Sequence, residues 1–170
     1  MPIELQHLLK AADGELVGKV RLQKTVYLLD QIGMGSGFTY EYHHYGPYSA
    51  ELAQATDDSV LFDEVKEITR RRADGVPYSV FRLPENVDLD ADELGHLPFH
   101  AAAQALSLMK QRDATVLELA STIHWLTSIE GIQNWSKELI RRKGVKASGG
   151  RVEQAVELLG ELGLPVAAIA

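Results

Sequence analysis

The stretch from Val20 to Ala50, VRLQKTVYLLDQIGMGSGFTYEYHHYGPYSA, limits the fold more than any other part of the chain. Leu22, Val26, Leu29 and Gly33 follow a 4, 3, 4 rhythm, and Thr25, Leu28 and Ile32 widen the stripe into one apolar helix face. Gly33 ends that helix. A short, flexible MGSG loop follows, and the period then changes. Phe38, Tyr40 and Tyr42 alternate with Thr39, Glu41 and His43, which predicts a short strand. Pro47 interrupts it, and Ser49 is placed to cap the next helix. A helix, an aromatic strand and a proline-bent corner in succession predict an α+β fold.

The rest of the chain makes that fold mainly α-helical. Ile3, Leu5, Leu8 and Leu9 share a face in a helix over 3–11, stopped by Asp13-Gly14. The second helix is expected over 15–32 and the third over AELAQATDDSV from Ala50. Residues 62–69 and 78–83 read as strands, with Asp74-Gly75 as a hairpin-turn signal between them. Helix, helix, hairpin is the order of winged-helix domains. The expected organisation is a winged-helix-like part over 1–84, an acidic, proline-flanked linker over 85–98, and a C-terminal helical part over 99–170. The last is expected to pack on the first as one compact unit. Helices are expected near 98–111, 113–129, 132–143 and 149–162, with Asp113 an N-cap and Gly131, Gly144 and Gly163 at helix ends. No internal repeat or low-complexity tract is visible.

Composition excludes several classes of function. With no cysteine among 170 residues, disulfides, thiolate metal sites and cysteine nucleophiles are ruled out together. A net charge of −7 argues against a generally basic nucleic-acid binder. The N-terminus has neither the basic nor the apolar segment of a signal peptide. The oily tract Leu117 to Leu126 is broken by Glu118 and His124, far short of a membrane span. A cytoplasmic protein with no membrane partner is expected.

Catalytic and metal motifs fail one by one. His43 and His44 are adjacent, so on a strand they point to opposite faces. The other histidines show no ligand spacing, and no metal or cofactor is expected. Ser49 lacks a GxSxG elbow. No Walker A loop occurs, and the glycines from Gly33 to Gly37 follow a helix rather than a strand, the wrong order for a dinucleotide site. Asp57-Asp58 and Asp90, Asp92 and Glu93 read as solvated carboxylates. No catalytic residue is assigned, and the chain is expected not to be an enzyme.

Surface recognition remains. Tyr40, Tyr42, Tyr45 and Tyr48 cluster closely, and tyrosine suits interfaces through its large contact area and polar tip. The alternative is that some of these rings fill the core. Lys24 should be solvated on an amphipathic helix, yet it shares a face with Tyr27, and both could meet the Tyr-Gly-Pro turn. Arg70, Arg71 and Arg72 sit at the tip of the expected hairpin. Such a wing often touches DNA phosphates, or it protects a sheet edge. Glu51, Asp57 and Asp58 would repel DNA from the third helix.

Leu22-Gln23-Lys24 with Tyr27 and Leu28, followed by Tyr45-Gly46-Pro47, resembles the LQK…Y…YGP pattern of Panacea-domain proteins and the related YwgA-like proteins. The form His44-Tyr45-Gly46-Pro47-Tyr48-Ser49 is closer to the YwgA-like branch. The likeness covers about residues 15–85, and Leu119 to Leu126 with Lys143-Gly144 extend it into the C-terminal part. Where Panacea proteins usually carry an aromatic residue before YGP, this chain has His43-His44. The resemblance implies a small, non-catalytic, antitoxin-like or SocA-like adaptor protein that binds a toxin or a protease substrate. Its partner surface would comprise Gln23, Lys24, Tyr27, His44, Tyr45, Gly46, Pro47 and Tyr48. DNA binding through Arg70 to Arg72 is the second choice, and a homodimer is a further expectation.

Overall fold

The structure is a computed structural model describing residues 2–167. It is an α+β fold, mainly helical. Helix α1 (Leu5–Ala11) leads into strand β1 (Glu15–Val17) and helix α2 (Lys19–Gln31). Strands β2 (Glu41–His43) and β3 (Gly46–Tyr48) precede helix α3 (Ala50–Leu61), and strands β4 (Lys66–Arg71) and β5 (Pro77–Arg82) follow it. Strands β6 (Glu93–Leu94) and β7 (Leu97–Pro98) lead into helices α4 (Phe99–Lys110) and α5 (Ala114–His124). The chain ends with helices α6 (Trp135–Lys143) and α7 (Arg151–Glu161).

The second helix begins later than its apolar pattern suggests. Residues 15–17 form an edge strand instead, pairing antiparallel with β5 so that Leu16 faces Phe81. Gly18, at φ 95°, separates strand from helix, a conformation that costs glycine little. The three-stranded sheet has the order β1-β5-β4. The third helix runs to Leu61, and Asp63 turns the chain at positive φ, so β4 starts at Lys66 rather than at Phe62.

The MGSG loop is not free. Asp30 accepts hydrogen bonds from the Ser36 amide at 2.7 Å and hydroxyl at 2.5 Å, while the Met34 carbonyl accepts from the His96 amide at 2.8 Å. Met34, Ser36 and Phe38 are buried, but residues 38–40 have no ladder partner, and the strand proper begins at Glu41. The acidic stretch before α4 is likewise partly structured: β6 and β7 form a tight hairpin whose Leu94 is buried in the core.

Helix α5 is the centre of the molecule, touching α2, α6, α7 and β3. Every residue from Val116 to His124 is buried, as expected of a helix surrounded on all sides. Asp113 caps it, accepting from the Val116 amide at 2.9 Å, and Ser49 caps α3 through the Leu52 amide at 3.1 Å. Such a cap contributes about 1 kcal/mol. After His124 the helix widens into a π-turn over Trp125–Ile129, a local irregularity that sets Trp125 against Tyr42 and Tyr27. The later segments also differ from expectation: α6 starts at Trp135, and Gly144–Ala147 continue as a 3₁₀ turn. No helix among the described residues is long and apolar enough to cross a membrane.

Candidate functional site

The inner face of α2 and the Tyr-Gly-Pro corner meet through backbone hydrogen bonds. The Gln23 side-chain amide donates to the Ser49 carbonyl at 2.9 Å and accepts from the Ser49 amide at 2.9 Å, acting as a substitute strand partner. At the next residue, Lys24 Nζ donates to the Pro47 carbonyl at 2.5 Å. Helix amphipathicity suggests a solvated Lys24, but the structure buries it, at 1 % exposed. The reason is the long-range partner, since the corner folds back over the polar edge of α2. Desolvation lowers the Lys24 pKa to about 8, opposed by the charge of Glu118 and reinforced by Lys143 and Lys146.

Tyr27 is buried beside it. Its hydroxyl lies 2.7 Å from His124 Nδ1, and burial holds the imidazole below its ordinary pKa, so the neutral ring accepts from the phenol. Burial raises the Tyr27 pKa, and burial with the neighbouring Asp30 raises that of Tyr40. Tyr40 packs edge-on against Tyr27 at 5.1 Å, and its hydroxyl donates to Asp30 at 2.9 Å. These two rings are therefore structural.

The other side of the corner is held by the C-terminal helices. Lys143 Nζ donates to the His44 carbonyl at 3.1 Å and to Glu118 Oε1 at 2.8 Å. Lys146 reaches both oxygens of Glu118 at 3.2 Å. Glu118 and Lys143 are almost wholly buried. Burial lowers the pKa of Lys143, against the pull of Glu118. Sequence reasoning missed this cluster. Its one local signal is Glu118 itself, a charge in the oily tract VLELASTI.

The expected partner surface divides accordingly. Gln23, Lys24 and Tyr27 lie inside the protein and support the corner, and Gly46 and Pro47 are buried against α5. His44 and Tyr45 are exposed and Tyr48 is half-buried, with Tyr45 54 % accessible. Lys146 Nζ sits over the Tyr45 ring at 4.7 Å, and His43 stacks on Tyr48 at 4.8 Å. Beside them, Arg142 lies over Tyr42 at 4.8 Å while pairing with Glu130 and Glu138.

The structure separates the arginine run from this site. Arg70 and Arg71 are on β4 opposite Tyr78 and Pro77, and Arg72 follows at the turn. All three are exposed, but Arg71 caps the Gly75 carbonyl and Arg72 pairs with Asp74 at 2.8 Å. Among the described residues, no group of three histidine, aspartate or glutamate side chains is arranged to hold a metal ion.

No family model matches the chain. It is similar, however, to the uncharacterised protein YwgA of Bacillus subtilis (strain 168). The two are 24% identical over 149 residues, which cover 88% of this chain and 89% of the relative. The likeness is therefore YwgA-like, and it does not reach the Panacea-domain antitoxins.

Proposed function

We propose that this YwgA-like chain is a non-enzymatic protein-binding module, antitoxin-like or adaptor-like, acting in the cytoplasm. The observation that supports this reading is Tyr45, a large exposed ring on a corner whose backbone is fixed from two sides by Lys24 and Lys143. A rigid aromatic with a polar rim suits the centre of a protein interface, because little ordering entropy is lost on binding. His44, Tyr45 and Tyr48 form the contact face. Gln23, Lys24 and Tyr27 set its shape. The partner is a toxin or a protease substrate, bound by steric occlusion rather than by chemistry. The test is capture from the native host with wild type and with a Tyr45→Ala, Tyr48→Ala double variant. A toxin or protease-linked protein held by the wild type should be lost by the variant; recovery of the same proteins by both ends this reading.

A second reading, a winged-helix DNA-binding regulator, is favoured by the order α1-β1-α2-(β2-β3)-α3-β4-β5, in which a β2-β3 hairpin is inserted before α3, and by the strand order β1-β5-β4. The exposed arginines would form the wing. Against it, α3 presents Glu51, Asp57 and Asp58 outward where a recognition helix needs positive charge. Duplex DNA that fails to shift at low salt, where counterion release favours binding most, removes this reading.

A further inference from the structure

The buried charges around the corner do not balance. Two buried ammonium groups, Lys24 and Lys143, share the neighbourhood of one buried carboxylate, Glu118, whose two oxygens are already taken by Lys143 and the partly exposed Lys146. Lys24 donates to the Pro47 carbonyl alone, and no carboxylate of the described residues lies within ion-pair distance of it. An ammonium group has three donors, and a buried one without a counter-ion is costly. The depressed pKa of Lys24 reflects that cost.

Lys24 also lines a cleft of about 260 Å³ between α2 and α3. Its lining includes two buried polar side chains, Lys24 and Gln23, the latter held by Ser49 at both the nitrogen and the oxygen of its amide. Leu22, Ala53 and Phe81 supply apolar lining, and Tyr45 and Tyr48 line it as well. The exposed side chains of Lys19 and Asp57 also line it. An apolar cavity of about 150 Å³ already accepts benzene, so a ring with one small polar group fits this space. Asp57 disfavours a ligand carrying several negative charges.

We propose that this cleft binds a small organic monocarboxylate on a compact apolar body, with the carboxylate directed to Lys24 and the body against Leu22, Ala53 and Phe81. The carboxylate supplies the missing counter-charge, and the body displaces water from the apolar walls. The proposal does not rest on the protein-binding reading above, although the cleft shares Tyr45 and Tyr48 with that face.

The test is a two-dimensional amide NMR titration of the full chain with benzoate and with its neutral isostere benzamide. Benzoate should give saturable shifts at residues 19–24, 45–48 and 53–57 with an affinity of about 1 mM or tighter. Benzamide should bind roughly tenfold more weakly, as expected when a charge-assisted hydrogen bond is lost. Ala53→Phe, which fills the cleft from α3 without touching Lys24, should abolish the benzoate shifts. Lys24→Met should remove the preference for benzoate; should that variant not fold, Ala53→Phe carries the test. Equal binding of the two ligands, no saturable shifts at these amides, or wild-type binding by Ala53→Phe would each overturn the proposal.

Discussion

Gly46 lies flat against Thr122: a Cβ at position 46 would stand 2.5 Å from the Thr122 hydroxyl oxygen, and the glycine already holds φ at +91°. Contact and conformation together make this the point where the tyrosine corner meets α5. Gly46→Ala is expected to cost about 2–4 kcal/mol, combining backbone strain with overpacking. Urea denaturation measures it, and an unchanged midpoint would mean that the corner is not seated on α5 as described.

Stability should rise as pH increases from about 8 towards 10.5, the lowered and ordinary pKa values of Lys24. In this window the unfolded chain keeps a proton that the folded chain has released, so raising the pH favours the folded state. The neutral amine still donates to Pro47. Full deprotonation recovers at most about 3.5 kcal/mol, at 1.4 kcal/mol per pKa unit. Above about pH 10 the trend reverses, because unfolded tyrosines ionise while burial keeps Tyr27 and Tyr40 protonated in the native state. Denaturation midpoints at several pH values test this, and Lys24→Met should flatten the rise.

Glu118→Gln should destabilise the protein by about 3–5 kcal/mol, because Lys143 would remain buried without its counter-ion. Replacing both members, Glu118→Leu with Lys143→Met, should recover most of that loss, since a buried pair contributes little beyond what packed apolar groups of similar size provide. A double variant no more stable than the single one would contradict the pairing.

Tyr27→Phe keeps the ring and removes the donor to His124. A loss of about 1–2 kcal/mol is expected from a buried acceptor left unmet. The imidazole resonances of His124 in NMR should move with it.

Tyr45→Ala should change stability by less than about 0.5 kcal/mol, as is usual for exposed positions. It can therefore probe partner binding without unfolding the chain. A large loss of stability would recast Tyr45 as a structural residue.

Much of this architecture is legible in the sequence where the cause is local. Ser49 and Asp113 cap the helices their positions imply, because an N-cap bonds only three residues ahead. The apolar stripe of α2 also predicts its buried face. By contrast, Glu15–Val17 carry no strand signal of their own; their pairing depends on β5, far along the chain. Lys24 reads as a solvated charge for the same reason, since its acceptor at Pro47 belongs to another element. The ionic cluster is less visible still. Glu118 on α5 is separated from Lys143 and Lys146 by 25 and 28 residues, and each lysine sits in a segment that looks merely charged.

Lys24 and Lys143 both grip main-chain oxygens, of Pro47 and His44, and ignore the side chains that the corner displays. The grip therefore does not depend on which residues occupy positions 44 and 45. Those two positions can be rewritten to meet a different partner while the scaffold beneath keeps its shape, so specificity can drift here without a toll on folding.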